Sequence, residues 1–172
     1  AERYAAASRL LEQDRPADAA EAFAALAEDP DGGYGVLARL RLAEARAAAG
    51  DPGAGLATLE ALSRDDAAGR VYRQLSELMV LQKQFQEIGP EQTLERLEPL
   101  TRDDAPWRHS ALELKALAEL EAGEASSARA TLNGLVTDPT VPAGIGRRAS
   151  ELLQALGGPV AEDGPDQGAG SS

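Results

Sequence analysis

Apolar residues recur at intervals of three and four along most of the chain, which is the spacing of amphipathic helices rather than of strands. The clearest case covers residues 107–139, where two such patterns lie on either side of Gly123. In the second of them, Ala128, Leu132 and Leu135 follow one another at four and three residues. The residues around Gly123 leave room only for a tight reversal, so the pattern predicts an antiparallel helix hairpin.

The second helix of this hairpin recurs three more times in the chain. Each copy has a small or short residue, a large apolar residue four positions later, and a leucine three positions after that. Successive copies are separated by 36, 38 and 35 residues, close to the period of about 34 residues of helical repeat arrays. The small residue lets the paired helix approach closely, and the large pair fills the space between hairpins. The small positions are Ala19, Gly55, Thr93 and Ala128, the large ones are Phe23, Leu59, Leu97 and Leu132, and the leucines are Leu26, Leu62, Leu100 and Leu135.

Prolines and capping residues indicate where individual helices begin and end. Pro16 and Pro52 suit the first turn of a helix, where the missing N–H costs nothing. Asp51 is expected to cap the helix that Pro52 opens. The pair at residues 89–90 is expected to begin a further helix, and Pro99 to disturb that helix near its end.

These boundaries predict an all-α fold, a degenerate helix-hairpin solenoid in which stacked neighbours share a continuous core. A single helix with a polar outer face would close the array as a C-terminal cap. The last residues, rich in Gly, Pro, Ser and acidic side chains, predict a disordered tail. The predicted repeat domain is residues 1–157, with hairpins at about 2–28, 34–62, 67–100 and 105–136, a capping helix at about 142–156 and a tail at 158–172.

The repeat resembles that of tetratricopeptide-repeat proteins. The small residue that this family places in the first helix, seven positions before the turn, corresponds to Ala7, Ala43 and Ala116, with Leu81 in the third copy. An aromatic residue early in each first helix, which the family also has, is mostly absent.

The fourth hairpin and the helix after it are similar to one branch of that family. The shared features are a Pro-Trp-Arg start at residues 106–108, an Ala-Gly-Glu turn, an Asp-Pro stop at residues 138–139, and the segment 146–149. The branch comprises bacterial, membrane-anchored, periplasmic repeat domains of the ancillary translocon-subunit type, in a form common in alphaproteobacteria.

This resemblance implies a non-enzymatic protein–protein interaction domain at the periplasmic face of the bacterial inner membrane. It would be anchored by an N-terminal helix that is not present in this chain and would act as an accessory or chaperone-like factor of protein export. Its partners would be translocon subunits, export chaperones or another envelope complex. Two alternatives stay open: an assembly scaffold for another envelope membrane complex, and a structural accessory subunit of such a complex.

Charge and composition exclude several classes of function. The net charge of -12 and the pI near 4.5 disfavour binding to nucleic acid, because such a surface repels phosphate backbones. The chain has no cysteine, which removes disulfides and thiolate chemistry, and its one histidine, His109, is expected at the surface. The acidic pairs at residues 65–66 and 103–104 are expected to cap helices and to be solvated. We therefore predict no catalytic residue, no metal site and no cofactor.

Five residues are candidates for contact with a protein partner. Trp107 is either wedged between adjacent hairpins or exposed as an anchor, since tryptophan is enriched at binding hot spots. Arg108 either caps a neighbouring helix or pairs with a partner carboxylate. Arg39, Arg46 and Arg73 fall on first helices, which line the concave groove in this architecture, and they either bind a partner there or form salt bridges on a solvated face.

Overall fold

A computed structural model describes residues 1–29 and 33–158, and within these ranges the fold is all-α. Short 3₁₀ turns precede and follow the fifth helix. The predicted tail at 158–172 lies outside the described residues apart from Gly158. The helices are α1 (Glu2–Glu12), α2 (Pro16–Ala27), α3 (Gly35–Ala48), α4 (Pro52–Ser63), α5 (Gly69–Leu97), α6 (Arg108–Glu121), α7 (Ala125–Thr137) and α8 (Ala143–Ala155), with 3₁₀ turns at Asp66–Ala68 and Glu98–Leu100.

Each helix packs against the next one in chain order, and α6 also contacts α8. The predicted helix-hairpin solenoid is therefore confirmed, with α8 closing the array against α6 and α7. The buried residues of α8 are Ile145, Ala149 and Leu153, and they join a core cluster with Leu132 and Leu135. The opposite face of α8 carries exposed Arg147, as a capping helix requires.

The third hairpin is formed within α5, where two helical arms meet at Gly89 and the backbone leaves the helical conformation. Gly89 has φ 79° and ψ 171°, which glycine adopts more readily than other residues. Beyond it, Arg96 Nε donates to Glu77 Oε1 at 2.9 Å. On a straight helix these residues would be about 28 Å apart. The two arms, residues 69–88 and 90–97, therefore fold back on each other as the third hairpin.

The repeat positions inferred from the sequence form the core of the array. The small, the large and the leucine positions are buried in all four hairpins. The corresponding first-helix positions Ala7, Ala43, Leu81 and Ala116 are buried as well. In every hairpin the first-helix position precedes the small position of the second helix by 12 residues. The four hairpins thus share one internal register, which confirms the predicted repeat.

Gly55 marks the closest approach of two helices. A Cβ atom built on Gly55 would lie 2.6 Å from the carbonyl oxygen of Ala43 and 3.4 Å from the amide nitrogen of Ala47. Carbon atoms do not approach backbone oxygens that closely, so α4 can rest on α3 at this distance only because residue 55 has no side chain. This contact confirms the role predicted for the small position.

Three hairpins reverse through the same turn. A residue with positive φ follows each first helix: Asp14 (57°), Gly50 (92°) and Gly123 (80°). The next N–H then bonds to a carbonyl five residues earlier, as in a Schellman motif. Among the described residues, Asp14 is the one non-glycine in this conformation. The bonds are Arg15 to Leu10 at 2.9 Å, Asp51 to Arg46 at 2.9 Å and Glu124 to Glu119 at 2.8 Å.

The helix boundaries agree with the capping residues. Pro16 and Pro52 open α2 and α4, and the Asp51 carboxylate accepts a hydrogen bond from the Ala54 N–H at 2.9 Å. Pro99 lies in the 3₁₀ turn that ends the third hairpin, so the predicted disturbance there is confirmed.

Candidate functional site

Two grooves open between neighbouring hairpins, on opposite sides of α4. The α2–α4 groove has a volume of about 560 Å³, and the α4–α5 groove, which also reaches the second arm of α5, has a volume of about 710 Å³. Both volumes fall within the range of about 300–1,000 Å³ that is usual for ligand pockets. The α2–α4 groove is lined by Ala27, Glu28, Arg39, Leu42, Arg46, Ala57, Thr58 and Ala61; the α4–α5 groove is lined by Glu60, Ser63, Arg64, Arg70, Arg73, Gln74, Glu77, Gln84, Ile88, Arg96, Pro99 and Leu100.

The two grooves are the same structural feature in consecutive repeats. Each is formed by the second helix of one hairpin and by both helices of the next. Within the shared register, six positions line both grooves and carry different side chains in each. The repeat architecture therefore creates the groove, while the side chains set its chemistry. The equivalent pairs are Arg39 and Glu77, Arg46 and Gln84, Thr58 and Arg96, Ala61 and Pro99, Ala27 and Ser63, and Glu28 and Arg64.

A polar bridge joins the two helices of three hairpins at one register position, three residues after the small positions. In the second hairpin, Arg46 Nη1 donates to Thr58 Oγ1 at 2.6 Å, and in the third, Arg96 Nη1 donates to Gln84 Oε1 at 3.4 Å. In the fourth, Thr131 Oγ1 donates to Glu119 Oε2 at 2.8 Å, and Glu119 is buried. The first hairpin has the apolar pair Leu10 and Ala22 there.

The α4–α5 groove is positively charged although the chain as a whole is acidic. Its lining contains four arginines and two glutamates, whereas the net charge of the chain is -12. Arg96 pairs with Glu77 at 2.8 Å inside the groove. The other three arginines also pair with carboxylates. Arg70 lies 2.8 Å from Asp104, Arg64 lies 4.0 Å from Glu60, and Arg73 pairs with Asp66.

Two of these carboxylates lie outside the groove lining and are well exposed. The side chains of Asp66 and Asp104 are 93% and 68% exposed. The Arg70 guanidinium, through its hydrogen bond and its charge, holds the pKa of Asp104 below its usual value. Ion pairs this exposed add little to stability because water and salt screen them, so Arg70 and Arg73 can exchange these partners at little cost.

In the α2–α4 groove, the arginines are held by groups on neighbouring segments. Arg39 pairs with Asp65, which also accepts a hydrogen bond from the Ala67 N–H at 3.0 Å. The hydrogen bond from Arg39, followed by that from Ala67, lowers the pKa of Asp65. The predicted capping role of this acidic residue is confirmed, since its carboxylate caps the 3₁₀ turn at Asp66–Ala68.

The structure does not bring the five candidate partner-binding residues together. Arg39 and Arg46 line the α2–α4 groove, and Arg73 lines the α4–α5 groove. Trp107 and Arg108 line neither groove. They lie at the start of α6.

Trp107 is half-buried between the third and fourth hairpins. Its Nε1–H donates to the carbonyl oxygen of Val71 at 2.8 Å. Its ring packs against a core cluster that includes Leu78, Leu97 and Leu100. The side chain therefore makes the contacts of a wedge between hairpins.

Arg108 and His109 attach the start of α6 to the connection between α7 and α8. Arg108 Nη1 lies 3.2 Å from Asp138 Oδ2, and His109 Nε2 lies 2.9 Å from the same oxygen. Asp138 also accepts hydrogen bonds from Thr140 Oγ1 at 2.6 Å and from the Thr140 N–H at 2.8 Å. The two bonds from Thr140 and then that from His109 hold the pKa of Asp138 well below its usual value. This cluster therefore ties the start of α6 to the connection between α7 and α8.

The remaining groove arginines were missed at the sequence level. These residues are Arg64, Arg70 and Arg96. They lie at polar positions, whereas the repeat was recognised from its apolar positions. Carrying the same register over to the polar positions would have placed Arg96 opposite Gln84. The register alone would not have shown that a groove is open there.

The described residues were searched for metal-binding clusters and membrane spans. In residues 1–29 and 33–158, no group of three or more His, Cys, Asp or Glu side chains is arranged to hold a metal ion. None of the helices in the described part of the chain is long and apolar enough to cross a membrane. No protein-family model, curated protein or solved structure matches the chain.

Proposed function

We propose that this chain is a non-enzymatic protein-interaction module that binds partner segments in the grooves between its hairpins. The observation that carries the proposal is the α4–α5 groove, which has a volume of about 710 Å³ and presents side chains from two hairpins at once. Helical repeat arrays use such composite surfaces for binding, because stacked helices display many side chains on one rigid scaffold.

We further propose that the module works at the periplasmic face of a bacterial inner membrane, as an accessory or chaperone-like factor of protein export. This part rests on the sequence of the fourth hairpin and α8, which resembles ancillary translocon subunits. The experiment therefore has to identify the partners directly.

Affinity purification of the full-length native protein from its own membranes, followed by mass spectrometry, tests the proposal. Recovery of translocon subunits and export chaperones in repeated preparations is the expected result. One stable complex without secretion components would instead identify an assembly scaffold or accessory subunit. If no protein is enriched over an untagged control, the interaction function itself is refuted.

A further inference from the structure

We propose that the α4–α5 groove binds an extended acidic segment of a partner protein, with carboxylates on its arginine rim and an apolar side chain on its floor. This inference rests on the proposed interaction function and specifies the chemistry of the partner. It follows from three properties of the groove: its charge, its apolar floor and the loose attachment of two of its arginines.

The charge of the groove selects an acidic partner. Its lining has a net charge of +2, from Arg64, Arg70, Arg73 and Arg96 against Glu60 and Glu77, within a chain of net charge -12. The net negative charge of the chain as a whole disfavours an acidic segment. Of the two grooves, the α4–α5 groove has the more positive lining, since the α2–α4 lining carries Arg39 and Arg46 against Glu28. Arginine also recognises carboxylates with two parallel hydrogen bonds, which adds geometric specificity.

The groove also has an apolar floor. It is lined by Ile88, the last residue of the first arm of α5, and by Pro99 and Leu100 in the 3₁₀ turn that follows the second arm. Leu100 is nearly buried, while Ile88 and the groove itself remain open. A purely acidic segment would leave these apolar residues exposed to solvent. An apolar side chain flanked by carboxylates therefore fits the site better.

Two of the arginines are free to change partners without disturbing the core. Arg70 and Arg73 bond to Asp104 and Asp66, which are themselves outside the groove lining and exposed. Arg96 is different, because it bridges the third hairpin through Glu77 and Gln84. Arg70 and Arg73 therefore contact the incoming carboxylates, and Arg96 keeps the groove in shape.

The test is a fluorescence-anisotropy titration of the full chain with two short labelled peptides. One peptide contains alternating Asp, Glu and Leu residues, and the other carries Asn and Gln in place of the acids. We expect saturable binding of the acidic peptide, weakening as salt is added because the rim charges are partly exposed. Equal binding of the amide peptide would overturn the inference, and so would a complete lack of binding.

Charge-matched variants assign the binding to the groove. The double variant Arg70→Gln/Arg73→Gln should bind the acidic peptide at least about tenfold more weakly, since it loses two charge-assisted contacts. The control Arg102→Gln/Arg147→Gln removes the same charge at positions outside the groove and should bind within about twofold of the unmodified chain. If both variants weaken binding equally, general electrostatics rather than the groove is responsible.

Two further measurements separate this inference from its alternatives. If a chain ending at Gly158 binds the peptide much more tightly than the full chain, the occupant is the chain's own acidic terminal segment, and the inference is overturned. If Arg70→Gln/Arg73→Gln recovers the native partners as well as the unmodified protein does, the interaction function stands and the groove assignment fails. Loss of those partners in this variant but not in the charge-matched control is the expected result.

Discussion

The contact between α3 and α4 at Gly55 gives the sharpest test of the repeat architecture. The substitution Gly55→Ala adds one methyl group, which would lie 2.6 Å from the Ala43 carbonyl oxygen. Contacts under 3.0 Å are essentially never made by Cβ atoms, and the opposing atom belongs to the backbone of a helix. The two helices must therefore move apart before the alanine fits.

The size of the effect follows from two opposing contributions. Alanine favours the helical state over glycine by about 1 kcal/mol, whereas overpacking a close contact costs typically about 1–3 kcal/mol. Because a backbone carbonyl cannot swing aside, the upper end of that range applies, and Gly55→Ala should lose about 2 kcal/mol. For a chain of this size the midpoint of thermal unfolding should then fall by about 4–8 °C.

Gly134 provides a matched control within the same fold. It lies in the interior of α7, is exposed, and has no atom within 4 Å of the position of an added Cβ. Gly134→Ala should therefore gain the helix preference without a clash, about 0.5–1 kcal/mol, and raise the midpoint by about 1–4 °C. The same chemical change thus has opposite effects at the two sites.

Thermal and urea unfolding should be followed by far-UV circular dichroism and by the fluorescence of the single tryptophan, Trp107. Agreement between the two probes shows whether the array unfolds in one transition. A Gly55→Ala chain as stable as the unmodified one would refute the close approach of α3 and α4. If Gly134→Ala destabilised the chain as much as Gly55→Ala, the effect at residue 55 would reflect the loss of a glycine in general and not a clash with α3.

Three further substitutions test the contacts between segments. Asp138→Asn should reduce the loss of stability in acid. A carboxylate whose pKa is lowered on folding contributes its full stabilisation above its unfolded pKa of about 3.9, and this contribution declines as the pH falls from there through the lower folded pKa. The thermal midpoints of the two chains should therefore differ more at neutral pH than in acid. Trp107→Phe removes the hydrogen bond to the Val71 carbonyl and some ring contact, and should cost about 1–2 kcal/mol in urea unfolding. Thr131→Val removes the hydroxyl that donates to the buried Glu119 carboxylate, and should lower the free energy of unfolding by about 1–3 kcal/mol in the same measurement.

Each of these has a control or a contradicting outcome. Glu21→Gln changes an exposed side chain on α2, in another hairpin, and should leave the acid dependence as it is. Thr137→Val lies on an exposed part of the same helix as Thr131, and should change stability by no more than about 0.5 kcal/mol. A Trp107→Phe chain of unchanged stability would contradict the wedge role of the ring.

The core of the array could be predicted from the sequence because its positions are periodic in residue size. Ala19, Gly55, Thr93 and Ala128 differ chemically, yet each is small or short and each is followed by the same large pair. A requirement for side chains of a given size that recurs along the chain can be recognised in a single sequence. The 12-residue register inside the hairpins then follows from the turn and the paired faces.

The grooves could not be predicted in the same way, because they are spaces that the side chains of neighbouring hairpins leave unfilled. The bridge position carries Arg46, Gln84 and Glu119 in successive first helices, and no common chemistry marks it. The role of Trp107 depended on whether the neighbouring hairpin reaches the ring, and a sequence does not give that distance.

Aromatic residues also recur with the spacing of the repeat. Tyr34, Tyr72 and Trp107 stand at the same register position near the starts of the second, third and fourth hairpins. Their spacings of 38 and 35 residues equal those of the small positions. The aromatic residue recurs here nine residues before the small position of the first helix.

The constant register inside each hairpin means that all variation in repeat length falls in the connections between hairpins. The first junction has a repeat spacing of 36 residues and the second 38, and the grooves beside them measure about 560 and 710 Å³. The longer linker thus lies beside the groove of larger volume. A chain built this way can acquire a new recognition surface by insertion or deletion at a junction, while the packing inside every hairpin is inherited unchanged.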